Sequence, residues 1–195
     1  MMKVVVLAST RGTDLQAILD EMDDGKMPGI EILRVVSNVE DAGALEKARA
    51  HGIEAVFVDP KQDDFSEKLV GAAKGADLVC LIGYMKILDS NFVRLFKGRI
   101  INVHPSLLPK FGGKNFYGDK VHKAVLDSGD KKSGMTIQFV DEGVDTGPIL
   151  LQKEVVIEDG ETVESLRQKV QELEKKWYPE AIRIIAKQHE QKIQN

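Results

Sequence analysis

Hydrophobic residues along the chain fall into two alternating rhythms. Val4–Ala8 is an unbroken apolar run rich in β-branched residues, the pattern of a strand buried on both faces. After the polar turn Ser9-Thr10-Arg11-Gly12, the apolar positions Leu15, Ile18, Leu19 and Met22 recur at helical spacing. They predict an amphipathic helix with Thr13 or Asp14 as its N-cap, ended by Gly25 and Pro28. The same alternation then repeats. Glu31–Ser37 reads as a strand, Ala42–Ala50 as a helix, Ala55–Val58 as a strand and Phe65–Lys74 as a helix. Asp77–Ile82 is again a buried strand, Ser90–Phe96 a short amphipathic segment, and Arg99–Val103 one more strand.

Strands alternating with helices of this length imply right-handed βαβ units and a parallel sheet, with ligands at the carboxyl ends of the strands. The texture changes past His104-Pro105. Lys110–Asp119, rich in Gly, Lys and aromatics, reads as an exposed loop, followed by a helix over Lys120–Asp127. Met135–Val140 and Ile149–Ile157 alternate apolar with polar residues, which predicts antiparallel strands with one solvated face. Val163, Leu166, Val170, Leu173 and Trp177 then mark a C-terminal amphipathic helix that Pro179 is expected to kink or divide. The fold class expected is α/β: an open, mostly parallel Rossmann-like sheet with helices on both faces, antiparallel additions near the C-terminal half, and a C-terminal helix.

Composition narrows the setting. A length of 195 residues, 43% hydrophobic and 30% charged, suits one collapsed domain rather than two or a disordered chain. With 27 Lys plus Arg against 31 Asp plus Glu, the net charge of −4 gives no reason to expect a nucleic-acid partner, so any phosphate must be held locally. Cys80 stands alone, which removes an intrachain disulfide and a Cys-rich zinc site and fits a cytoplasmic protein. The four His show no clustered ligand spacing, so no metal is expected. No apolar run approaches the length of a membrane span.

Three places carry residue types suited to chemistry. The turn Ser9-Thr10-Arg11-Gly12-Thr13-Asp14 aims free backbone N–H groups and the positive end of a helix dipole at the crevice, which suits phosphate. It matches neither the dinucleotide fingerprint nor the ATP phosphate loop, and it also serves as an ordinary capped turn. Asn102 and His104, two apart on one strand, leave the same face, and an amide beside an imidazole suits an oxyanion; a capping Asn and a structural His fit too. Asp145, in a turn-rich loop, is placed either to pair with His104 or simply to make the turn. His51, His189 and Cys80 read as structural, while Met85-Lys86-Ile87-Leu88 suits either an apolar ligand slot or packing.

Four blocks in order add a resemblance: STRGTDLQAIL, GYMKILDSNFV, INVHPSLLPKF and DEGVDTGPILLQ. Together they resemble the 10-formyltetrahydrofolate-using transferases, and specifically the phosphoribosylglycinamide formyltransferase family, over nearly the whole chain. The resemblance implies transfer of a formyl group from 10-formyltetrahydrofolate to the amine of glycinamide ribonucleotide in purine biosynthesis, through a tetrahedral oxyanion. Asn102, His104 and Asp145 are the implied catalytic residues. Arg11, Gly12, Thr13, Asp14, Pro105, Gln171 and Glu174 are implied on the ribonucleotide side. Met85, Lys86, Ile87, Leu88 and Val93, with Val140, Asp141, Glu142, Gly143 and Val144, are implied around the pterin. Residues 1–100 then form the nucleotide half and 101–195 the catalytic and folate half of one domain, with no length for the extra domains of larger relatives. Partners are small molecules, in a monomer or a homodimer. A formyltransferase for another amine, such as an amino sugar nucleotide, and a non-catalytic folate- or nucleotide-binding module are the competing readings. Three positions depart from the family pattern. Asp14 stands where Asn is common, Lys86 where Arg is usual, and Gly112–Gly118 where a Pro-Gly is frequent.

Overall fold

Alternate residues of a strand leave on opposite faces, and the first strand shows what an unbroken apolar run is for. In β1 (Met2–Ala8), Val4, Val6 and Ala8 enter one hydrophobic cluster, whereas Val5 and Leu7 enter a second on the other side of the sheet. The run at 78–82 divides the same way, with Leu78, Cys80 and Ile82 on one face and Val79 and Leu81 on the other. The computed structural model describes residues 1–194.

Along the chain follow α1 (Thr13–Asp23), β2 (Ile30–Ser37), α2 (Gly43–Ala50), β3 (Glu54–Phe57), α3 (Phe65–Ala73), β4 (Leu78–Ile82), α4 (Ser90–Leu95) and β5 (Ile100–His104). Then come α5 (Asp119–Asp127), β6 (Lys132–Phe139), β7 (Ile149–Val156) and α6 (Val163–Gln194). The seven strands form one sheet in the order β3-β2-β1-β4-β5-β6-β7. β1 to β5 pair in parallel, while β6 and β7 are antiparallel additions. The chain winds outward in one direction from β1 to β3 and in the other from β4, so the β1/β4 boundary is the switch point where such sheets open a crevice. α1, α2, α5 and α6 cover one face; α3 and α4 cover the other.

Three details differ from the sequence reading. Neither Thr13 nor Asp14 caps α1. Gly12 takes the N-cap position at φ 70°, with no side chain closing the helix, because only a residue without Cβ fits there. A Cβ on Gly12 would lie 2.9 Å from that of Ala44 in α2. Secondly, the polar face of β6 is buried, with Thr136 and Gln138 only 0% and 2% exposed. Thr136 Oγ1 donates to Ser106 C=O (2.6 Å) and accepts from Leu108 N–H (3.0 Å) and Gln152 Nε2 (2.9 Å), which ties down the chain leaving β5. Thirdly, α6 runs through Pro179 undivided. The preceding Tyr178 is fully buried and donates to the carbonyls of Leu81 (3.0 Å) and Ile101 (3.3 Å), so packing against the sheet offsets the hydrogen bond that proline removes.

Candidate active site

A cavity of about 480 Å³ opens at the carboxyl ends of β1, β4 and β5, flanked by α6 and by the loops after β4, β5 and β6. Asn102 and His104 project into it from β5, as their two-residue spacing requires. Directly across the β5–β6 ladder, Gln138 pairs in register with Asn102. Pro105 leaves the sheet immediately after, so β5 ends at the crevice.

His104 is 4% exposed and both its ring nitrogens face oxygen acceptors: Nε2 lies 2.7 Å from Phe111 C=O, and Nδ1 lies 3.4 Å from Asp145 Oδ2. Each ring nitrogen thus has an oxygen acceptor within reach, and the pair of contacts fixes the plane of the imidazole. Asp145 reaches it from a loop position with φ 58°, a conformation that a non-glycine residue adopts only when its surroundings fix it. They do so here. Oδ2 also accepts Gly113 N–H (3.0 Å), and Oδ1 accepts Gln138 Nε2 (2.9 Å). The loop itself is held by Asp141 Oδ1, which accepts from Gly143 N–H (3.0 Å) and Thr146 Oγ1 (2.7 Å). With His104 and Asp145 engaged by protein groups, the Asn102 carboxamide is the member of this cluster that faces the cavity without a hydrogen-bond partner among the described residues.

At the other end of the cavity, α6 presents Arg167, Val170, Gln171 and Glu174 along one face at helical spacing. Thr10 and Asp14 face them from the turn after β1. The first-turn N–H groups of α1 have no intrahelical acceptor, and no side-chain cap supplies one. Asp14 is 7% exposed, and burial pushes its carboxyl up to about 6, with the charge of Lys175 working the other way. Glu174 is raised well above the ordinary carboxyl range, first by burial and then by the charge of Asp14.

Met85, Lys86, Ile87, Leu88 and Val93 line a third side, opposite Val140, Asp141, Gly143 and Val144. This side is half open, since Met85 and Ile87 are 53% and 66% exposed. Ser9 anchors it to the first turn, donating to Asn38 Oδ1 (2.6 Å) while its oxygen accepts Met85 N–H (2.9 Å). Lys86 sets its Nζ 4.8 Å above the Phe65 ring, a cation–π contact that holds its charge at the rim.

Four residues of the sequence reading fall outside the lining. Arg11 is exposed, Gly12 and Thr13 lie in the turn behind Thr10 and Asp14 of the lining, and Glu142 sits 3.9 Å from Arg94 at the surface. Conversely, the cavity includes Thr10 of the first turn and four residues to which the sequence assigned no site role: Tyr84, Gln138, Arg167 and His122. His122 is 3% exposed and its Nδ1 has no partner among the described residues. Burial pushes its imidazole below the ordinary range, so it faces the site uncharged at neutral pH. A polar residue on the buried side of α5, beside Val121 and Val125, is the signal that was available in the sequence.

The family described as formyl transferase matches residues 2–182. The chloroplastic phosphoribosylglycinamide formyltransferase of Arabidopsis thaliana is 41% identical over 194 residues, which are 95% of this chain and 66% of that protein. The trifunctional purine biosynthetic protein adenosine-3 of Gallus gallus is 38% identical over 192 residues, 94% of this chain but 18% of that protein. The chain thus spans two thirds or less of the curated relatives it matches. Among solved structures, glycinamide ribonucleotide transformylase 1 of Symbiobacterium toebii superposes with a TM-score of 0.88 at 41% identity, covering 96% of this chain and 88% of that one. A formyltetrahydrofolate deformylase of Pseudomonas syringae pv. tomato superposes with a TM-score of 0.86 at 26% identity, covering 96% and 62%. With the match running from the first strand into the last helix, the chain belongs to the formyl transferase family, in its group of phosphoribosylglycinamide formyltransferases.

Proposed function

We propose that this protein transfers the formyl group of 10-formyltetrahydrofolate to the amine of glycinamide ribonucleotide. One observation carries the reading: the Asn102–His104–Asp145 cluster shares a single cavity with the uncapped start of α1, so an acyl-transfer centre and an anion site lie within reach of one small substrate. The ribonucleotide phosphate takes the free amides of Gly12, Thr13 and Asp14, with Arg11 outside, and the ribose side meets Gln171, Glu174 and Pro105. The pterin lies between Met85–Leu88 with Val93 and the backbone of residues 140–144, whose peptide groups match its donors and acceptors. The first hundred residues thus supply the phosphate turn and one wall of the pterin slot, and the remainder supplies the catalytic centre.

The amine attacks the formyl carbon and the carbonyl oxygen becomes an oxyanion, which the Asn102 amide and the charged His104 ring stabilise. Asp145 holds the ring charged and oriented. The proton leaves the attacking nitrogen for the departing folate nitrogen, and the C–N bond to folate breaks as the tetrahedral centre collapses to the formamide. The solitary buried Cys80 supports a reducing setting, and we place the protein in the cytoplasm.

The test is product analysis. Purified protein given both substrates should form the N-formyl ribonucleotide and release tetrahydrofolate, and His104→Ala should abolish this. Release of free formate without the amide product would assign the site to hydrolysis instead, as the name of the Pseudomonas relative describes that protein.

A further inference from the structure

The ribonucleotide end of the cavity holds a charge conflict. Asp14 is the second residue of α1, so its own backbone N–H is among the free amides suited to phosphate, yet its side chain is a carboxylate. That side chain is buried against the cavity, and Oδ1 has no hydrogen-bond partner among the described residues. Across from it on α6 stands a second carboxyl, Glu174, lining the same cavity and close enough to feel the charge of Asp14. Among the described residues no salt bridge reaches either carboxyl. Lys175 opposes the effect of burial on Asp14 from a distance, being bound to Glu172 at 2.6 Å; Arg167 is bound to Glu164 at 2.6 Å and lies 3.7 Å from Asp119; Arg11 is exposed. The remaining titratable groups on this side, Tyr178 and Cys80, are buried and uncharged, with the Tyr178 hydroxyl committed to backbone carbonyls.

Resting on the functional reading above, we infer that Asp14 and Glu174 act as one proton-holding pair, and that the phosphorylated substrate enters only when the pair carries the proton Asp14 would otherwise lose. A dianion beside an ionised Asp14 in a poorly solvated pocket meets a like charge, whereas a protonated Asp14 turns its unpartnered oxygen into a donor. Asp14 therefore sets the pH range over which the ribonucleotide binds, and binding is linked to proton uptake above that range. An amide at the same position removes the linkage, because it donates without a proton to gain.

Calorimetric titration with glycinamide ribonucleotide in two buffers of different ionisation enthalpy counts the protons taken up on binding. Between pH 7 and 8 the wild-type protein is expected to take up a large fraction of one proton more than Asp14→Asn does, since protons belonging to the ligand cancel between the two. Over the same range KM for the ribonucleotide should rise about fivefold to tenfold in the wild type relative to the variant, with kcat moving in parallel in both. The riboside lacking phosphate should show no difference between them. Glu174→Gln, which breaks the pair from its other side, should likewise lower the proton count. Equal proton counts and parallel KM profiles for wild type and both variants overturn the inference while leaving the formyl-transfer reading intact. Failure of the wild type to bind the ribonucleotide at any pH overturns both.

Discussion

Asn102→Ala separates chemistry from folding more cleanly than any other change in the site. The side chain projects from the end of β5 opposite Gln138 and faces the cavity, with no protein group depending on it among the described residues. Its removal thus orphans nothing, and the cost to stability should stay within about 1 kcal/mol, ordinary for a half-buried surface change. If the amide is the free donor to the oxyanion, its loss raises the barrier by about 3–4 kcal/mol, a fall in kcat of about 100- to 1,000-fold with little change in KM. Steady-state kinetics with both substrates, beside a thermal melt, measure the two effects separately. His104→Ala is the contrasting variant, because it strands the Phe111 carbonyl and the Asp145 carboxylate and should lose stability as well as activity. A kcat for Asn102→Ala within fivefold of wild type would refute the assignment of the oxyanion donor. A melting temperature falling as far as that of His104→Ala would show that the residue holds the strand end instead.

Burial of Asp14 has its own signature in stability. Its native carboxyl is raised to about 6 from 3.8, so the folded state keeps a proton that the unfolded chain has lost, and the stability present below pH 4 declines as pH rises to 6. Asp14→Asn lacks that decline, and its advantage over wild type should grow from near zero at pH 4 to about 2–3 kcal/mol above pH 6.5; a difference independent of pH refutes it. Gly12→Ala places a Cβ at φ 70° and 2.9 Å from Ala44, and should cost about 2–4 kcal/mol in denaturant unfolding. Tyr178→Phe deletes the hydroxyl bonded to Leu81 and Ile101, for a loss of about 1–3 kcal/mol, with a drop in the melting temperature of several degrees. A melting point unmoved by that change would mean the helix is held by apolar contact alone.

By itself, the sequence determined the layer architecture, because hydrophobic periodicity is a direct record of which faces are buried. The runs at 4–8 and 78–82 had to lie between two layers, and the order of elements left few topologies for a parallel sheet. It also determined that Asn102 and His104 share a face, since the strand period is local geometry. The approach of Asp145 to His104 was beyond it. That contact spans about forty residues and depends on a loop held by Asp141, Thr146, Gly113 and Gln138, none of which any local rule connects. Gln138 and Thr136 looked solvated because alternation reports polarity, not what covers it, and only the chain after β5 folding over them makes that face interior. Glu174 and His122 gained their neighbours in the same way, from helices that dock late in the chain against a crevice opened by β1 and β4. Most decisive was Asp14. In sequence it was a candidate cap or a phosphate neighbour; the fold buries it opposite a second carboxyl with its Oδ1 unpartnered among the described residues, and burial changes what a carboxyl is, since the charge that water would stabilise must there be given up or shared.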